Sequence, residues 1–203
     1  MATRALQLAD IVDVRAYERQ RDALRVDVIA LKATRRVPVG PVLSVVFENR
    51  ATIRFQVQEM ARAERASTDE AILELLGTYN PLIPEPGHLS ATLFIELTTR
   101  TEMEQWLSLL VGIEESLALE ITPPGAGSPA ATVRGHTEEA HAAQLTRSEV
   151  TAAVHFIHFD FTAEQVELFR RGRVVLAVDH PSYPERTELS DATHASLLAD
   201  LYD

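Results

Sequence analysis

Apolar residues recur at helical spacing between Val12 and Arg36. Val14, Tyr17, Leu24, Val28 and Leu31 stand among charged neighbours, which predicts one long amphipathic helix. Pro38 and the pair Gly40-Pro41 end it. Val42 to Phe47 is a short, β-branched apolar run, the signature of a buried strand, and Glu48-Asn49-Arg50 turns the chain after it. From about Thr52 to Arg65 the residues Ile53, Val57, Met60, Ala61 and Glu64 share one helical face. Ser67-Thr68-Asp69-Glu70 has capping-box spacing and predicts a third helix to about Thr78, stopped by Tyr79-Asn80-Pro81. Leu82 to His88 holds three prolines and a glycine, hence a stiff extended loop.

Two later segments share a rhythm. Leu89 to Thr122 reads as strand, short helix from Glu102 to Leu110, and strand; Val150 to Asp179 reads as strand, short helix from Ala163 to Arg171, and strand. Each helix follows a Thr with an acid or amide three residues on, Thr101 with Glu104 and Thr162 with Gln165. Gly112 and Gly172 then precede the second strands. An internal duplication and a chance recurrence of a common rhythm both account for this. Thr132 to Arg147 is polar and predicts no definite element, Glu185 to Leu189 is strand-like, and a last helix capped by Ser190 runs from about Asp191 to Leu201. The expected fold class is α+β: a mixed or mainly antiparallel sheet with two β–α–β units and an N-terminal helical layer. One domain over 1–203 is the first reading. Two lobes, 1–122 and 131–203, joined by the Pro/Gly-rich stretch 123–130, are the second.

Composition narrows the function classes. With 203 residues, 46% hydrophobic and 24% charged, the chain can bury about two-thirds of its unfolded surface and needs no staple. A net charge of −11, with Lys32 the one lysine, repels phosphate backbones and anionic head groups, so neither nucleic acid nor a membrane is an expected partner. The absence of Cys removes disulfides, thiolate nucleophiles and Cys-ligated clusters or zinc sites. Met1 to Asp13 has no apolar run of signal length, which makes the cytoplasm the expected compartment. Phosphate-loop, dinucleotide-turn, nucleophile-elbow and His-Glu-x-x-His patterns are missing as well.

Some residues still carry candidate chemistry. In His155-Phe156-Ile157-His158-Phe159-Asp160 the alternation of a strand puts His158 and Asp160 on one face and His155 on the other. His158 and Asp160, joined by His180 and with His155 as a further candidate, could hold a divalent Fe, Zn or Mn ion. The plainer reading makes His158 and Asp160 a solvated or partner-facing pair. Glu-x-x-His occurs at Glu85–His88 and Glu138–His141. A di-iron site needs that spacing on helices, and the prolines around Glu85 forbid one there. Glu59, Arg62 and Glu64, with Glu48 and Arg50 nearby, form a polar constellation suited to a small ligand or a partner, or else to pairing along a solvated helix face. A homodimer is among the expected associations.

The stretches Val28-Ile29-Ala30-Leu31-Lys32, Phe47-Glu48-Asn49-Arg50, Gln58-Glu59-Met60-Ala61-Arg62-Ala63-Glu64, Tyr79-Asn80-Pro81-Leu82-Ile83-Pro84, Leu89-Ser90-Ala91-Thr92-Leu93-Phe94-Ile95-Glu96 and Asp179-His180-Pro181 resemble a bacterial family catalogued as domain of unknown function 3501. The resemblance runs in order over nearly the whole chain. Asp179-His180 fits the family pattern, and His158 departs from it. Members are encoded beside a rubrerythrin-like di-iron protein and an iron–sulfur oxidoreductase of the glycolate-oxidase subunit type. The resemblance therefore implies an accessory or partner role in redox or oxidative-stress chemistry. The alternative is a metal- or small-molecule-dependent enzyme using Asp179, His180, His155 and the Glu59/Arg62/Glu64 cluster. A ligand-sensing module is a third reading. Whether Asp179-His180, Glu59 and Arg62 converge on one pocket separates a site from a scaffold.

Overall fold

The computed structural model describes residues 4–137 and 150–202. Helix α1 spans Val14–Ala33, opened by the Asp13 carboxylate, which accepts from the Arg15 and Ala16 amides. Strands β1 (Arg36–Val39) and β2 (Leu43–Glu48) follow as a hairpin. The helix ends at Ala33, short of the expected Arg36, and Arg36–Val39 form a strand that the hydrophobic pattern does not predict. Only four residues long, interrupted by Pro38 and lying at one end of the sheet order, β1 offers a weak periodic signal. Gly40 turns the hairpin at φ 63°, and a Cβ there would stand 2.5 Å from the Tyr183 hydroxyl.

Helices α2 (Arg50–Ala63) and α3 (Asp69–Tyr79) come next. Asn49 and Thr52 form a reciprocal capping box on α2, so the turn residues Glu48-Asn49-Arg50 also start that helix. The α3 cap is Thr68, one residue beyond the expected Ser67. Then come β3 (His88–Ile95), α4 (Arg100–Leu109), β4 (Leu117–Thr122), β5 (Ala131–His136), β6 (Val154–Asp160), α5 (Ala163–Arg171), β7 (Arg173–His180), β8 (Tyr183–Glu188) and α6 (Asp191–Tyr202). The α4 box is Thr99 with Glu102 rather than Thr101 with Glu104, whereas Thr162 with Gln165 caps α5 as expected.

Among the described residues all eight strands join one antiparallel sheet in the order β1-β2-β3-β6-β5-β4-β7-β8. Both strand–helix–strand runs are present, but β3 and β4, and likewise β6 and β7, are separated by two other strands. Stretch 123–130 connects β4 to β5, and strands from both sides of it alternate through the sheet. The sheet curls until its ends meet. The Tyr183 hydroxyl donates to the Val39 carbonyl at 2.8 Å and accepts from the Val42 amide at 3.0 Å, and Thr187 Oγ1 donates to the Pro38 carbonyl at 2.8 Å. Side chains of the last strand thus bond to the first hairpin, giving a nearly closed barrel.

Its concave face, closed by Leu110 and Ile113 and by Phe169 of α5 and Leu197 and Leu201 of α6, is the main core. Phe47 and Phe159 meet there with ring centroids 6.0 Å apart. Gly135 lets β5 lie close to β6, since a Cβ would come 2.6 Å from Ile157 Cγ2. A second core joins α2 and α3 to Leu6, Leu82 and Ile83, with Phe156 of β6 packed against it. Helix α1 lies outside this layer on α2 and buries Tyr17 alone. Among the described residues no helix is long and apolar enough to cross a membrane.

Candidate functional site

The polar constellation of the helical layer is built from Tyr17 and Arg21 of α1 and Glu59 of α2. Tyr17 Oη donates to Glu59 Oε1 at 2.6 Å, and Arg21 approaches both Glu59 oxygens at 2.8 Å through Nε and Nη2. The two-pronged Arg21 hydrogen bond holds the Glu59 carboxyl down at about 2, against burial and with help from Tyr17. Burial, then the bond to Glu59, pushes the Tyr17 hydroxyl up. Arg62 pairs with Glu18 of α1, and Glu64 ends α2 exposed to solvent. Glu59 and Arg62 therefore fasten α1 to α2.

Glu48 and Arg50 do different work. Glu48 ends β2 beneath α2 with 5% of its surface exposed; Oε1 accepts from Thr92 Oγ1 at 2.8 Å, and Oε2 is buried without a hydrogen-bond partner. Arg50 points outward to the N-terminal segment, bonding the Arg4 carbonyl at 3.0 Å and Asp10 at 2.8 Å. Arg35, which falls within the helix expected from Val12 to Arg36, instead follows α1 and is 1% exposed. Its guanidinium donates to the Phe47 and Glu48 carbonyls at 2.8 and 3.0 Å and to Ser196 Oγ at 2.9 Å, and pairs with Asp200. It ties α6 to the end of β2.

Asp179 and His180 close β7. Asp179 takes Arg186 at 2.8 Å. His180 accepts the Ser182 amide at Nδ1, 3.2 Å, and contacts the Val111 carbonyl through Nε2 at 3.1 Å. These bonds place the ring proton on Nε2. None of these partners is shared with Glu59 or Arg62, so the four residues do not form one site.

The metal set expected from the sequence is not assembled. His155 faces the core, where Nε2 lies 2.9 Å from both Thr151 Oγ1 and the Ala152 carbonyl. Burial depresses its pKa, against the charge of nearby Glu114. His180 is held at the β7–β8 turn. His158 and Asp160 do share the opposite face of β6 from His155, as alternation requires, but their neighbours are His88 and His136. His88 on β3 faces Asp160, with Nδ1 2.7 Å from Oδ1. His136 on β5 faces His158, with ring centroids 5.8 Å apart and Nε2 3.7 Å from Asp160 Oδ2. The result is a half-exposed row of imidazoles about one carboxylate. Among the described residues no three His, Asp or Glu are arranged to hold a metal ion. Glu138 and His141 lie outside the described residues. The sequence reading found half of this row; His88 and His136 enter through strand pairing across β3, β6 and β5, which spacing along the chain does not reveal.

Among the described residues the fold is that of an α+β protein with a nearly closed eight-stranded antiparallel sheet. The chain belongs to the family described as a protein of unknown function (DUF3501), whose model matches residues 5–201. It is similar to a solved structure described as a novel protein of unknown function from Burkholderia pseudomallei K96243, at 31% identity and a TM-score of 0.86, covering 97% of this chain and 99% of that one. No curated protein matches.

Proposed function

We propose that the protein is a non-enzymatic accessory of a redox or oxidative-stress system, binding a rubrerythrin-like di-iron protein and an iron–sulfur oxidoreductase. The observation that supports this is the dispersal of its polar residues. Glu59, Arg62, Arg50, Asp179 and His180 are each engaged by a different intramolecular partner, which leaves them to hold elements together instead of substrate. A chain without cysteine would serve such a system by binding and not through thiols of its own. The test is a pull-down of both redox proteins, metal-loaded, on the immobilised full chain. Retention of either at near one per chain is expected; retention of neither overturns the reading.

A second reading, a metal-dependent enzyme, is favoured by the row His88, Asp160, His136 and His158. Half-exposed imidazoles flanking a carboxylate are the donor types that bind zinc or iron, although here they would have to turn to meet one ion. Elemental analysis of purified protein decides it: zinc, iron or manganese at near one per chain, lost in Asp160→Ala, supports this reading, and less than about a tenth of that amount ends it.

A further inference from the structure

The C-terminal half of α1 is apolar on two sides. Leu24, Val28 and Leu31 are half-buried over α2 and Phe55, lining a cleft of about 250 Å³. On the outward side Ala23, Val26 and Ala30 are exposed, and Ile29 and Ala33, also exposed, border a second cleft that Phe55 and Glu59 of α2 line as well; Val26 at 66% and Ile29 at 60% are the most exposed large apolar residues among those described. A solvated face of a surface helix is ordinarily polar. The charges flanking this face are unspent: among the described residues neither Asp22 nor Lys32 has an ion pair or a side-chain hydrogen bond, whereas Arg21 and Glu18 on the α2 side both have one.

We propose that this outward face of α1 is the interface of a homodimer, in which two α1 helices pack antiparallel about a two-fold axis. The pattern is self-complementary. Setting Val26 against the partner's Ile29 makes Ile29 meet the partner's Val26, as an isologous contact demands. The same register puts Asp22 opposite the partner's Ala33 and one residue from the partner's Lys32, so the acid at the start of the stripe and the base at its end pair twice. Ala23, Ala30 and Ala33 let the two helices approach at the short end of the usual separation of about 8–10 Å. A single helix pair covers less than the ~1,200 Å² typical of a stable complex, which makes this a reversible association.

Sedimentation velocity of the full chain between ~1 and ~200 µM tests this. A monomer that becomes a dimer across that range is expected. Val26→Asp and Ile29→Asp, both at exposed positions and checked for native circular dichroism, should remain monomeric throughout. Asp22→Lys and Lys32→Asp should each weaken the dimer by about tenfold, and the double swap should restore it. The register has its own readout, because the chain has no cysteine of its own: an oxidised mixture of Val26→Cys and Ile29→Cys chains should yield the mixed disulfide in excess. A wild-type chain monomeric at ~200 µM, a dimer indifferent to both Asp substitutions, or a double swap no better than the singles overturns the proposal. So does capture of a redox partner by this face of a chain that is itself monomeric.

Discussion

The barrel interior and α1 are held by different forces. Phe47, Leu93, Leu119, Phe159 and Leu176 have no exposed surface, and they pack where strands from all along the chain meet. Helix α1 is 20 residues long and buries Tyr17 alone. Beside Leu24, Val28 and Leu31, half-buried over α2, what fastens it is polar: the Tyr17–Arg21–Glu59 cluster and the Arg62–Glu18 pair. Apolar burial is insensitive to salt and costs the whole fold when lost. Ion pairs at 21–46% side-chain exposure respond to salt and pH. The barrel should therefore unfold as one unit, and α1 should come away from α2 on its own under conditions the barrel survives.

The largest effect should come from the interior. Phe159→Ala removes a ring packed on Phe47 and should cost about 3–5 kcal/mol, seen as a fall in the denaturant midpoint that is the same by every probe. Arg35→Ala tests whether a polar group can matter as much when it sits inside. It strands the Phe47 and Glu48 carbonyls and removes the Arg35–Asp200 pair, at about 3 kcal/mol. Hydrogen exchange should rise across α6 and the end of β2. Exchange confined to α1 after either change would show that the two regions are not separate.

Glu59→Ala attacks the other side of the comparison. Arg21 loses its carboxylate and the buried Tyr17 hydroxyl its acceptor, at about 1–3 kcal/mol. The loss should appear as exchange in α1, with the barrel strands unchanged.

Acid separates the regions without mutation. The folded Glu59 carboxyl sits at about 2 against an ordinary 4.5, so its contribution is complete above about pH 4.5 and disappears as pH falls through about 2. His155, buried in the barrel and depressed below 6.5, is stabilising as the neutral ring. The unfolded chain takes up its proton first, so this contribution is complete above pH 6.5 and is lost as pH falls below it toward the folded value. Barrel stability should thus begin to decline at milder acidity than the hold on α1. His155→Gln should flatten the first decline, and Glu59→Gln the second.

How far the sequence foretold this follows the same division. Helices α1 and α2, with apolar residues at helical spacing, α3 and α6, with their capping residues, and strands with long β-branched or aromatic runs, β2, β3, β6 and β7, are legible because local spacing and caps are written along the chain. β1 and β5 are not. Pro38 interrupts the first, and in the second Thr132, Arg134 and His136 alternate with Val133 and a Gly135 whose missing side chain is itself the packing device. Sheet order was invisible, since a crossover past two strands leaves no local mark. Glu48, Glu59 and Arg62 could be picked out as polar residues denser than the helix needs, but their partners Thr92, Arg21 and Glu18 are brought to them by the fold. Arg35 looked like any helix-end cation, and only tertiary contact buries it.

The smallest effect is the sharpest control on the comparison. Arg62 and Glu18 join the same two helices as Arg21 and Glu59, but at 38% and 46% side-chain exposure instead of 21% and 25%. If proximity of opposite charge were enough, Arg62→Ala would free α1 as Glu59→Ala does. Solvent screening and the entropy of holding two long side chains argue otherwise and limit the cost to about 0–1 kcal/mol. At ~0.5 M salt, where the screening length falls to a few ångströms, that cost should vanish. The Glu59→Ala effect should persist there, because the buried Tyr17 hydroxyl still lacks its acceptor. Equal loss of α1 protection in the two variants would mean that charge alone holds the helix.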